Sequence, residues 1–291
     1  RNVGIALSTD HNPRFGIIDP YWCGVNAVVE AMRNVASVGA TPHAISDCLC
    51  YGNPEKPEQM WAFVEGVRGI NDACKTITLK HSPENPTPII AGNVSFYNES
   101  KNKSIPPSPI VSCLGKIKNV KKTVTMSFKE EGSSIIMIGQ RKDELGGSIF
   151  YSLYGEVGKN LPKPNLSEAR NQIYAITDCI DQELVLACHD ISEGGVATAL
   201  AEMTFGNAIG LTVLIESNLS NNKILFSETG GFILEAKNSQ LELIRSIFES
   251  HNLNLYVIGQ TGGKRIKINK VIDVLVNEAK QCWEDSLREK L

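Results

Sequence analysis

The stretch CGVNAVVEAMRNVASVGA, residues 23–40, lies between two segments that have the composition of β-strands, NVGIALSTD at residues 2–10 and HAISDCLCYG at residues 43–52. Its apolar side chains recur every three or four positions, which predicts an amphipathic helix, and Gly39 is placed to end that helix. The same alternation of strands and helices continues through the rest of the chain. Such an alternation predicts an α/β or α+β fold.

A short charged segment, KIKNVKKT at residues 116–123, separates the predicted elements into two groups. We therefore expect a first domain over residues 1–120 and a second over residues 121–291. The other elements predicted in the first domain are a helix at 58–74, a polar loop at 77–87 and strands at 88–97 and 110–117. Those predicted in the second domain are strands at 133–140, 184–192, 210–216, 223–228 and 231–236, and helices at 166–180, 193–207, 239–252 and 271–287. Ser167 is placed to cap the helix at 166–180.

Composition and charge exclude several classes of protein. The 291 residues are 42% hydrophobic, which is normal for a globular chain long enough for two domains. The net charge of -3 gives no basic excess, so nucleic acid is not expected as the main partner. No apolar run reaches the roughly 18 residues of a membrane helix, and the amino end is neither a signal peptide nor a transit peptide. Because the chain begins within a predicted strand, we expect a fragment of a longer polypeptide.

Most of the eight cysteines lie in apolar contexts, as small buried side chains do. This pattern favours a reduced, cytoplasmic protein over a disulfide framework. Cys48 and Cys50 would face the same side of a strand. No second Cys/His pair at zinc-finger spacing accompanies them, so metal ligation by cysteine is not expected.

The segment CHDISEGGVATAL, residues 188–200, joins the end of a strand to a helix that opens on two glycines. Asp190 and Ser192 precede the helix, where free N–H groups and the helix dipole favour negative charge. In one interpretation Asp190 or Ser192 caps the helix. In the other, the glycines admit a phosphate ligand that is bridged by a cation held by Asp190. The Walker A and G-x-G-x-x-G patterns are absent, which excludes a P-loop and a Rossmann turn.

Two further sets of polar side chains have more than one interpretation. Asp47 lies in an otherwise apolar strand, where an ionised carboxylate needs a metal, a ligand or the N–H groups of a nearby turn as its partner. Glu30 and Asn34 are four residues apart and therefore lie on one side of the first long helix. That side is either a solvated face or a shared ligand-binding face, and the residues alone do not decide between them.

The segment IIAGNVSFYNES, residues 89–100, ends a predicted strand in small and neutral polar groups. Asn93 and Ser95 are alternate residues, so they would point to one face of that strand. Neutral oxygen ligands suit Mg²⁺ and hydroxyl-rich substrates. The alternative is a turn at Gly92 and Asn93 that leads into a solvated loop.

Several segments considered together resemble one family. They are TDHNPRFGIIDPYWCG (9–24), EAMRNVASVGATP (30–42), SDCLCYGNPEKPEQMWAFVEGVRGINDAC (46–74), GNVSFYNES (92–100), IPPSP (105–109), LGGSIFYS (145–152), HDISEGG (189–195) and LFSET (225–229). This set is similar to the synthase subunit of phosphoribosylformylglycinamidine synthase, of the small bacterial type, and to its carboxy-terminal half only. The resemblance implies an aminoimidazole ribonucleotide synthetase-like half of two domains. The first is a sheet-plus-helices domain that pairs into a barrel, and the second is a carboxy-terminal α/β domain.

The resemblance also implies an activity. The family uses ATP to phosphorylate the formyl amide oxygen of formylglycinamide ribonucleotide, and ammonia from glutamine then displaces phosphate to leave the amidine, a step of purine biosynthesis. ATP and Mg²⁺ would be the cofactors. The implied partners are the amino-terminal half of the same subunit, a glutaminase subunit and a small accessory subunit. Because the family's catalytic histidine lies in that other half, this chain is expected to be inactive alone.

The family's functional residues match this sequence at several positions. By resemblance, Asp47 and Gly92 would contact ATP, Asn93 would ligate Mg²⁺, and Ser95 would contact the ribonucleotide. A possible second, vestigial nucleotide and metal site is matched by four residues: Glu30, Asn34, Asp190 and Ser192.

Two segments depart from the family pattern. Lys75–Pro86 is longer than expected and would lengthen a loop. SETGGF, residues 227–232, lacks the Pro and Arg that often follow its Ser-Glu, which weakens a phosphate-binding role for that turn. Two alternative functions stay open: a non-catalytic folding and assembly module that pairs with a copy of itself, and another ATP-binding enzyme of the wider superfamily.

Overall fold

Two β-sheets, one from each half of the sequence, organise the chain. The structure is a computed structural model that describes residues 2–101 and 103–286. The elements of the first half are β1 (Gly4–Asp10), α1 (Pro13–Ile18), α2 (Pro20–Ser37), β2 (Thr41–Cys50), α3 (Pro57–Thr76), β3 (Thr78–Leu79), β4 (Ser82–Pro86), β5 (Ile89–Ser95), β6 (Glu99–Ser100), β7 (Lys103–Ser104) and β8 (Ser108–Ile117).

The second half carries more strands than the sequence predicts. Its elements are β9 (Ser134–Ile138), α4 (Ile149–Ser152), α5 (Leu166–Asp181), β10 (Ala187–Ile191), α6 (Gly195–Phe205), β11 (Leu211–Val213), α7 (Asn221–Phe226), β12 (Gly231–Ala236), α8 (Leu241–Ser250), β13 (Leu255–Thr261), β14 (Arg265–Ile268), β15 (Ile272–Leu275) and α9 (Val276–Asp285).

The first sheet has four strands in the order β1-β8-β2-β5, of which only β2 and β5 pair in parallel. Helices α2 and α3 cover one of its faces. The other face is open, and Ile5 and Leu7 on β1 are each 71% exposed. A sheet with one open apolar face matches the predicted sheet-plus-helices domain that forms half of a barrel.

The second sheet has seven strands in the order β10-β12-β9-β13-β11-β14-β15 and is antiparallel except between β11 and β14. The predicted mixed α/β (α+β) class is therefore confirmed. No helix among the described residues is long and apolar enough to cross a membrane.

Helix α2 lies at the centre of the molecule. Because it is buried on most sides, its sequence is apolar on nearly every side. Asp19 caps it by accepting hydrogen bonds from the backbone N–H groups of Tyr21 and Trp22. Gly39, with φ of +89°, follows its end as predicted. Buried residues of α2, both sheets, α5 and α8 form one continuous cluster. The division into domains at residue 120 therefore remains a proposal, because apolar packing crosses it.

Four element predictions are corrected. Residues 221–226 form helix α7 and not a strand, since a short apolar run fits either. Residues 272–275 form β15 before the last helix begins. The polar loop at 77–87 folds into the β3–β4 hairpin. Asn165, and not Ser167, caps α5 by accepting hydrogen bonds from two backbone N–H groups.

Candidate functional site

The four residues matched to ATP, Mg²⁺ and substrate lie together where β2 and β5 end. The two strands pair in parallel, with Asp47 opposite Gly92, Cys48 opposite Asn93 and Cys50 opposite Ser95. The carboxyl ends of parallel strands meet at one edge of a sheet and present their side chains there. The structure therefore brings together Asp47, Gly92, Asn93 and Ser95, which are separated in the sequence.

These four residues divide between the two faces of the sheet. Asn93 lies on the same face as Cys48, since its Nδ2 is 3.5 Å from the Cys48 Sγ, and Ser95 lies on this face by strand alternation. Asp47 points to the opposite face, where a Cβ on Gly92 would stand 2.7 Å from its Oδ1. Glycine at residue 92 therefore leaves room for the carboxylate.

The carboxyl group of Asp47 is partly withdrawn from water. Desolvation by burial raises its pKa, and a hydrogen bond from the backbone N–H of Asn93 opposes that rise. The backbone partner of Asp47 is thus an N–H group of strand β5, which also carries Gly92, and not an N–H group of a turn. A ligand bound beside Asp47 would meet a carboxylate already oriented by β5.

The loop after β5 is fixed by Asn98, which sequence reasoning did not single out. Its side-chain amide donates to the backbone oxygens of Ser95, at 2.8 Å, and Tyr51, at 3.0 Å. Glu99 then accepts hydrogen bonds from Lys56 and Ser104, both at 2.7 Å. The GNPEKPE and GNVSFYNES segments therefore contact each other and hold one side of the strand ends.

Three of the four residues matched to the second site, Glu30, Asn34 and Asp190, lie where α2 packs between β1 and β10. The Asn34 amide donates to the Asp10 Oδ1 at 3.1 Å, and Arg33 Nε lies 3.9 Å from the Asp190 Oδ2. Burial raises the pKa of Glu30 to about 8, and the negative charges of Asp190 and Asp10 act in the same direction, while Arg33 opposes them. Glu30 and Asn34 thus belong to a shared polar cluster and not to a solvated face.

His189 and Asp10 extend this cluster. His189 Nδ1 lies 3.2 Å from the Asp190 Oδ1, and its Nε2 lies 2.9 Å from the Glu202 Oε2. Burial alone would lower the pKa of His189, but these two carboxylates raise it to about 9. Burial, with the nearby Asp190 charge, raises the pKa of Asp10 to about 6. At neutral pH His189 is therefore charged and Asp10 is largely ionised.

Neither Asp190 nor Ser192 caps helix α6, so that interpretation is wrong. The N-cap residue is Gly194, whose backbone N–H donates to the Glu228 Oε1 at 3.0 Å. The Ile149 N–H donates to the same oxygen at 2.7 Å. Burial raises the pKa of Glu228 to about 7 in spite of these bonds. A carboxylate from far along the chain therefore occupies the end of the helix that was considered for a ligand.

The two glycines at the start of α6, Gly194 and Gly195, are also required by the packing of the fold. Both have positive φ. A Cβ on Gly195 would stand 2.6 Å from the backbone oxygen of Leu225 and 2.8 Å from that of Ser227, and a Cβ on Gly194 would meet the Thr198 side chain. The space beside these glycines is thus filled by protein. The side chain of Ser192 makes no hydrogen bond within the part of the chain that the structure describes.

Among residues 2–101 and 103–286, no group of three or more His, Cys, Asp or Glu side chains converges on one position. Two oxygens of the second cluster nevertheless suit a cation, because Asp10 Oδ2 and Asp190 Oδ2 are buried and lack hydrogen-bond partners. Mg²⁺ usually binds one or two carboxylates together with substrate phosphates and water. The donor set present therefore fits Mg²⁺ that arrives with a nucleotide better than a cation held by protein alone.

Sequence reasoning missed Asp10, Arg33 and Glu228 at this second cluster. Asp10 is the last residue of β1 and Asp190 is the last but one of β10, so a carboxylate near the end of each strand was an available signal. Arg33 and Glu228 gave no such signal. The partner of Arg33 lies more than a hundred residues away in the sequence, and the partner of Glu228 lies in a separate segment.

Two family models match the chain. "AIR synthase related protein, N-terminal domain" matches residues 1–117, and "AIR synthase related protein, C-terminal domain" matches residues 130–270. The chain belongs to the AIR synthase related family. Within that family the predicted likeness to phosphoribosylformylglycinamidine synthase is confirmed by the curated relatives.

Subunit PurL of phosphoribosylformylglycinamidine synthase from Methanothrix thermoacetophila is 43% identical over 298 residues, covering 100% of this chain and 39% of its own length. A structure of T. maritima PurL complexed with FGAR has a TM-score of 0.79 at 19% identity, over 96% of this chain and 46% of that one. A structure of the same protein complexed with ATP has a TM-score of 0.72 at 21% identity, over 96% and 44%. At these identities the two structures show the fold.

The chain is thus a PurL-like member of the AIR synthase related family that spans about two fifths of the length of the curated relatives it matches.

Proposed function

We propose that the chain is part of an enzyme that converts formylglycinamide ribonucleotide, ATP and glutamine-derived ammonia into the amidine product of purine biosynthesis. In this reaction ATP phosphorylates the amide oxygen, and ammonia then displaces phosphate as a C–N bond forms. One observation carries the proposal: Asp47, Gly92, Asn93 and Ser95 lie side by side on β2 and β5. The relatives named PurL, and the PurL structures complexed with FGAR and ATP, support it.

Each of the four residues has a role that its chemistry suits. Asn93 offers a neutral amide oxygen for Mg²⁺, and Ser95, on the same face, offers a hydroxyl to the ribonucleotide. Asp47 and Gly92 would contact ATP from the opposite face of the strand pair, where the missing Cβ of Gly92 leaves room for the Asp47 carboxylate. Mg²⁺, when bound, neutralises phosphate charge, which accords with the absence of Lys and Arg from residues 89–100. These residues position reactants, and the catalytic histidine comes from the amino-terminal half of the subunit.

We further propose that the cluster of Asp10, Glu30, Asn34 and Asp190 is a second nucleotide and metal site with a structural role. Its support is the pair of buried carboxylate oxygens, Asp10 Oδ2 and Asp190 Oδ2, that accept no hydrogen bond, although Arg33 Nε lies 3.9 Å from the second of them. Within residues 2–101 and 103–286, the Ser192 side chain makes no hydrogen bond to this cluster. The other proposed partners are the amino-terminal half, a glutaminase subunit and a small accessory subunit.

Substitution of Asn93 or Ser95 by Ala in the full-length polypeptide tests the catalytic proposal. If each contact acts in the transition state, each change lowers ammonia-dependent turnover by about 2–3 kcal/mol, or roughly a hundredfold. Asn85→Ala is the matched control, because Asn85 lies exposed on β4 and its amide contacts only its neighbour Glu84. Normal turnover in both the Asn93 and Ser95 variants would contradict the site assignment.

A second candidate function is that of an assembly module, in which the open face of the first sheet pairs with another copy of the chain. The exposed Ile5 and Leu7, with Val3 at 54% exposure, favour it. The chain alone would then form a dimer that lacks synthetase activity, and Leu7→Lys would yield monomers. Light scattering together with an ammonia-dependent ATPase assay checks this, and a monomer that turns over substrate would contradict it.

A further inference from the structure

Cys48 and Cys50 form a pair of thiols that the proposed reaction does not use. Their Sγ atoms are 3.8 Å apart on the open face of β2. Both side chains are partly accessible, whereas five of the other six cysteines are buried and Cys282 is exposed on α9. Among the described residues this is a dithiol next to the candidate site, since Asn93 Nδ2 lies 3.5 Å from the Cys48 Sγ.

The backbone around the pair opposes a disulfide. Residues i and i+2 of a strand have Cα atoms about 6.4–6.8 Å apart, at the upper limit of the range that a disulfide spans. A disulfide also brings the sulfurs to about 2 Å. Because β2 pairs with β8 on one side and β5 on the other, the buckling needed to close that gap would break hydrogen bonds in both ladders.

The observed spacing instead matches chelation. Two thiolates bound at about 2.3 Å to one tetrahedral cation lie about 3.8 Å apart. We propose that Cys48 and Cys50 chelate a thiophilic divalent cation, of which Zn²⁺ and its softer analogue Cd²⁺ are the test cases. Each thiol releases its proton to solvent as its sulfur donates an electron pair, so that two protons leave for each cation bound. Water or a further ligand fills the remaining positions on the open face.

Asn93 lies beside one of the two thiols, with its Nδ2 3.5 Å from the Cys48 Sγ, and would supply a third ligand. Rotation of its amide by 180° would place Oδ1 where Nδ2 now approaches the Cys48 Sγ. In the proposed function Asn93 also binds Mg²⁺. A soft cation bound to the thiols would therefore compete with Mg²⁺ for the Asn93 side chain. This consequence rests on the proposed function, whereas chelation by the thiol pair does not.

Titration of the reduced 291-residue chain with Cd²⁺, in a phosphine reductant that contains no thiol, tests the proposal. Binding is followed by the ultraviolet thiolate-to-Cd²⁺ absorption and by proton release. We expect one tight equivalent of Cd²⁺, two protons released, and displacement by Zn²⁺ but not by millimolar Mg²⁺, which prefers oxygen. Cys48→Ser and Cys50→Ser should each weaken binding on the order of a hundredfold, because the remaining thiol loses its intramolecular partner.

Cys282→Ser is the matched control, since it removes an exposed thiol from α9. It should leave both the affinity and the absorption unchanged. Circular dichroism on each Ser variant establishes that the fold is retained, and alkylation of residues 48 and 50 in the wild type should be blocked by Zn²⁺. Unchanged affinity in folded Cys48→Ser and Cys50→Ser, or loss of the absorption in Cys282→Ser, would overturn the proposal. A disulfide between the two cysteines under mild oxidation, with no Cd²⁺ binding by the reduced chain, would also overturn it.

Discussion

At the scale of single residues, Glu30 shows that the second cluster disfavours the charged form of a buried carboxyl group. Its pKa is raised to about 8, chiefly by burial, from the ordinary value of 4.5 that it regains on unfolding. A raised pKa gives stability that is complete below pH 4.5 and is lost as the pH rises through about 8. At pH 8.5 the folded protein therefore bears the full cost of an ionised Glu30.

We expect Glu30→Gln to stabilise the protein at alkaline pH. Its free energy of unfolding should exceed that of the wild type by on the order of 2 kcal/mol at pH 8.5 and match it near pH 4.5. Urea denaturation at the two pH values measures this difference. Glu249→Gln, an exposed change on α8, should alter stability by less than about 0.5 kcal/mol at both. A Glu30→Gln difference that does not vary with pH would contradict the raised pKa.

The sequence pattern predicted which side chains share one face of a strand. It predicted less well which side chains from distant segments contact each other in the fold. Strand alternation placed Asn93 and Ser95 on one face, and the structure agrees. The contact of Glu228 with the N–H groups of Ile149 and Gly194 joins the starts of helices α4 and α6 to the segment after α7. No local period encodes such a contact, so the neighbouring sequence alone could not reject the interpretation in which Asp190 or Ser192 caps α6.

At the scale of secondary-structure elements, the start of α6 depends on how closely another chain segment approaches it. Gly195 has φ of +69°, and Gly155 has φ of +70°. The two differ in their surroundings, because a Cβ at Gly195 would meet the backbone of residues 225–227, whereas a Cβ at Gly155 has nothing within 4 Å. A comparison of substitutions at these two glycines therefore separates the cost of backbone strain from the cost of crowding.

Gly195→Ala should lower the free energy of unfolding by about 3 kcal/mol, the sum of strain at positive φ and overpacking. Gly155→Ala should lower it by about 1 kcal/mol, from strain alone. Chemical denaturation of both variants supplies the comparison. Equal losses would mean that the segment at residues 225–227 yields to the new methyl group.

The hairpin β3–β4, expected only as a longer loop, ties the two halves together. Lys80 donates to the Thr177 Oγ1 and the Asp178 Oδ1, both at 2.7 Å, and to the Tyr174 backbone oxygen at 3.2 Å. The hydroxyl of Tyr174 donates to the backbone oxygen of Thr78. The sequence showed that this segment is longer than expected but not which element it contacts, because α5 lies about ninety residues further along the chain.

Lys80→Met should destabilise the chain by about 2 kcal/mol, because three hydrogen bonds at a mostly buried ammonium are lost. Lys118→Met is the control. Lys118 also pairs with a carboxylate of α5, Asp181, at 2.7 Å, but its side chain is 53% exposed, and such exposed pairs contribute about 0–1 kcal/mol. Thermal unfolding of the two variants distinguishes them, and a larger effect at Lys118 would show that the hairpin is not an anchor.

At the scale of the whole molecule, the continuous core around α2 governs how the protein unfolds. Because buried residues of α2 contact elements of both halves, each sheet loses packing on its side toward α2 when the other half unfolds, although a second buried cluster is confined to residues 128–276. We expect one cooperative transition in calorimetry, with equal calorimetric and van't Hoff enthalpies. Two resolved transitions would instead support independent domains divided near residue 120.

The position of the candidate site on β5 has a consequence for how the protein changes over generations. β5 is an edge strand with one neighbour, and its residues are exposed apart from the half-buried Ser95. Substitutions there remove little core packing, so most would leave the fold intact. Natural selection can therefore alter what this edge recognises without first acquiring compensating mutations in the core, and duplicated copies of the gene can diverge in ligand while they keep one architecture.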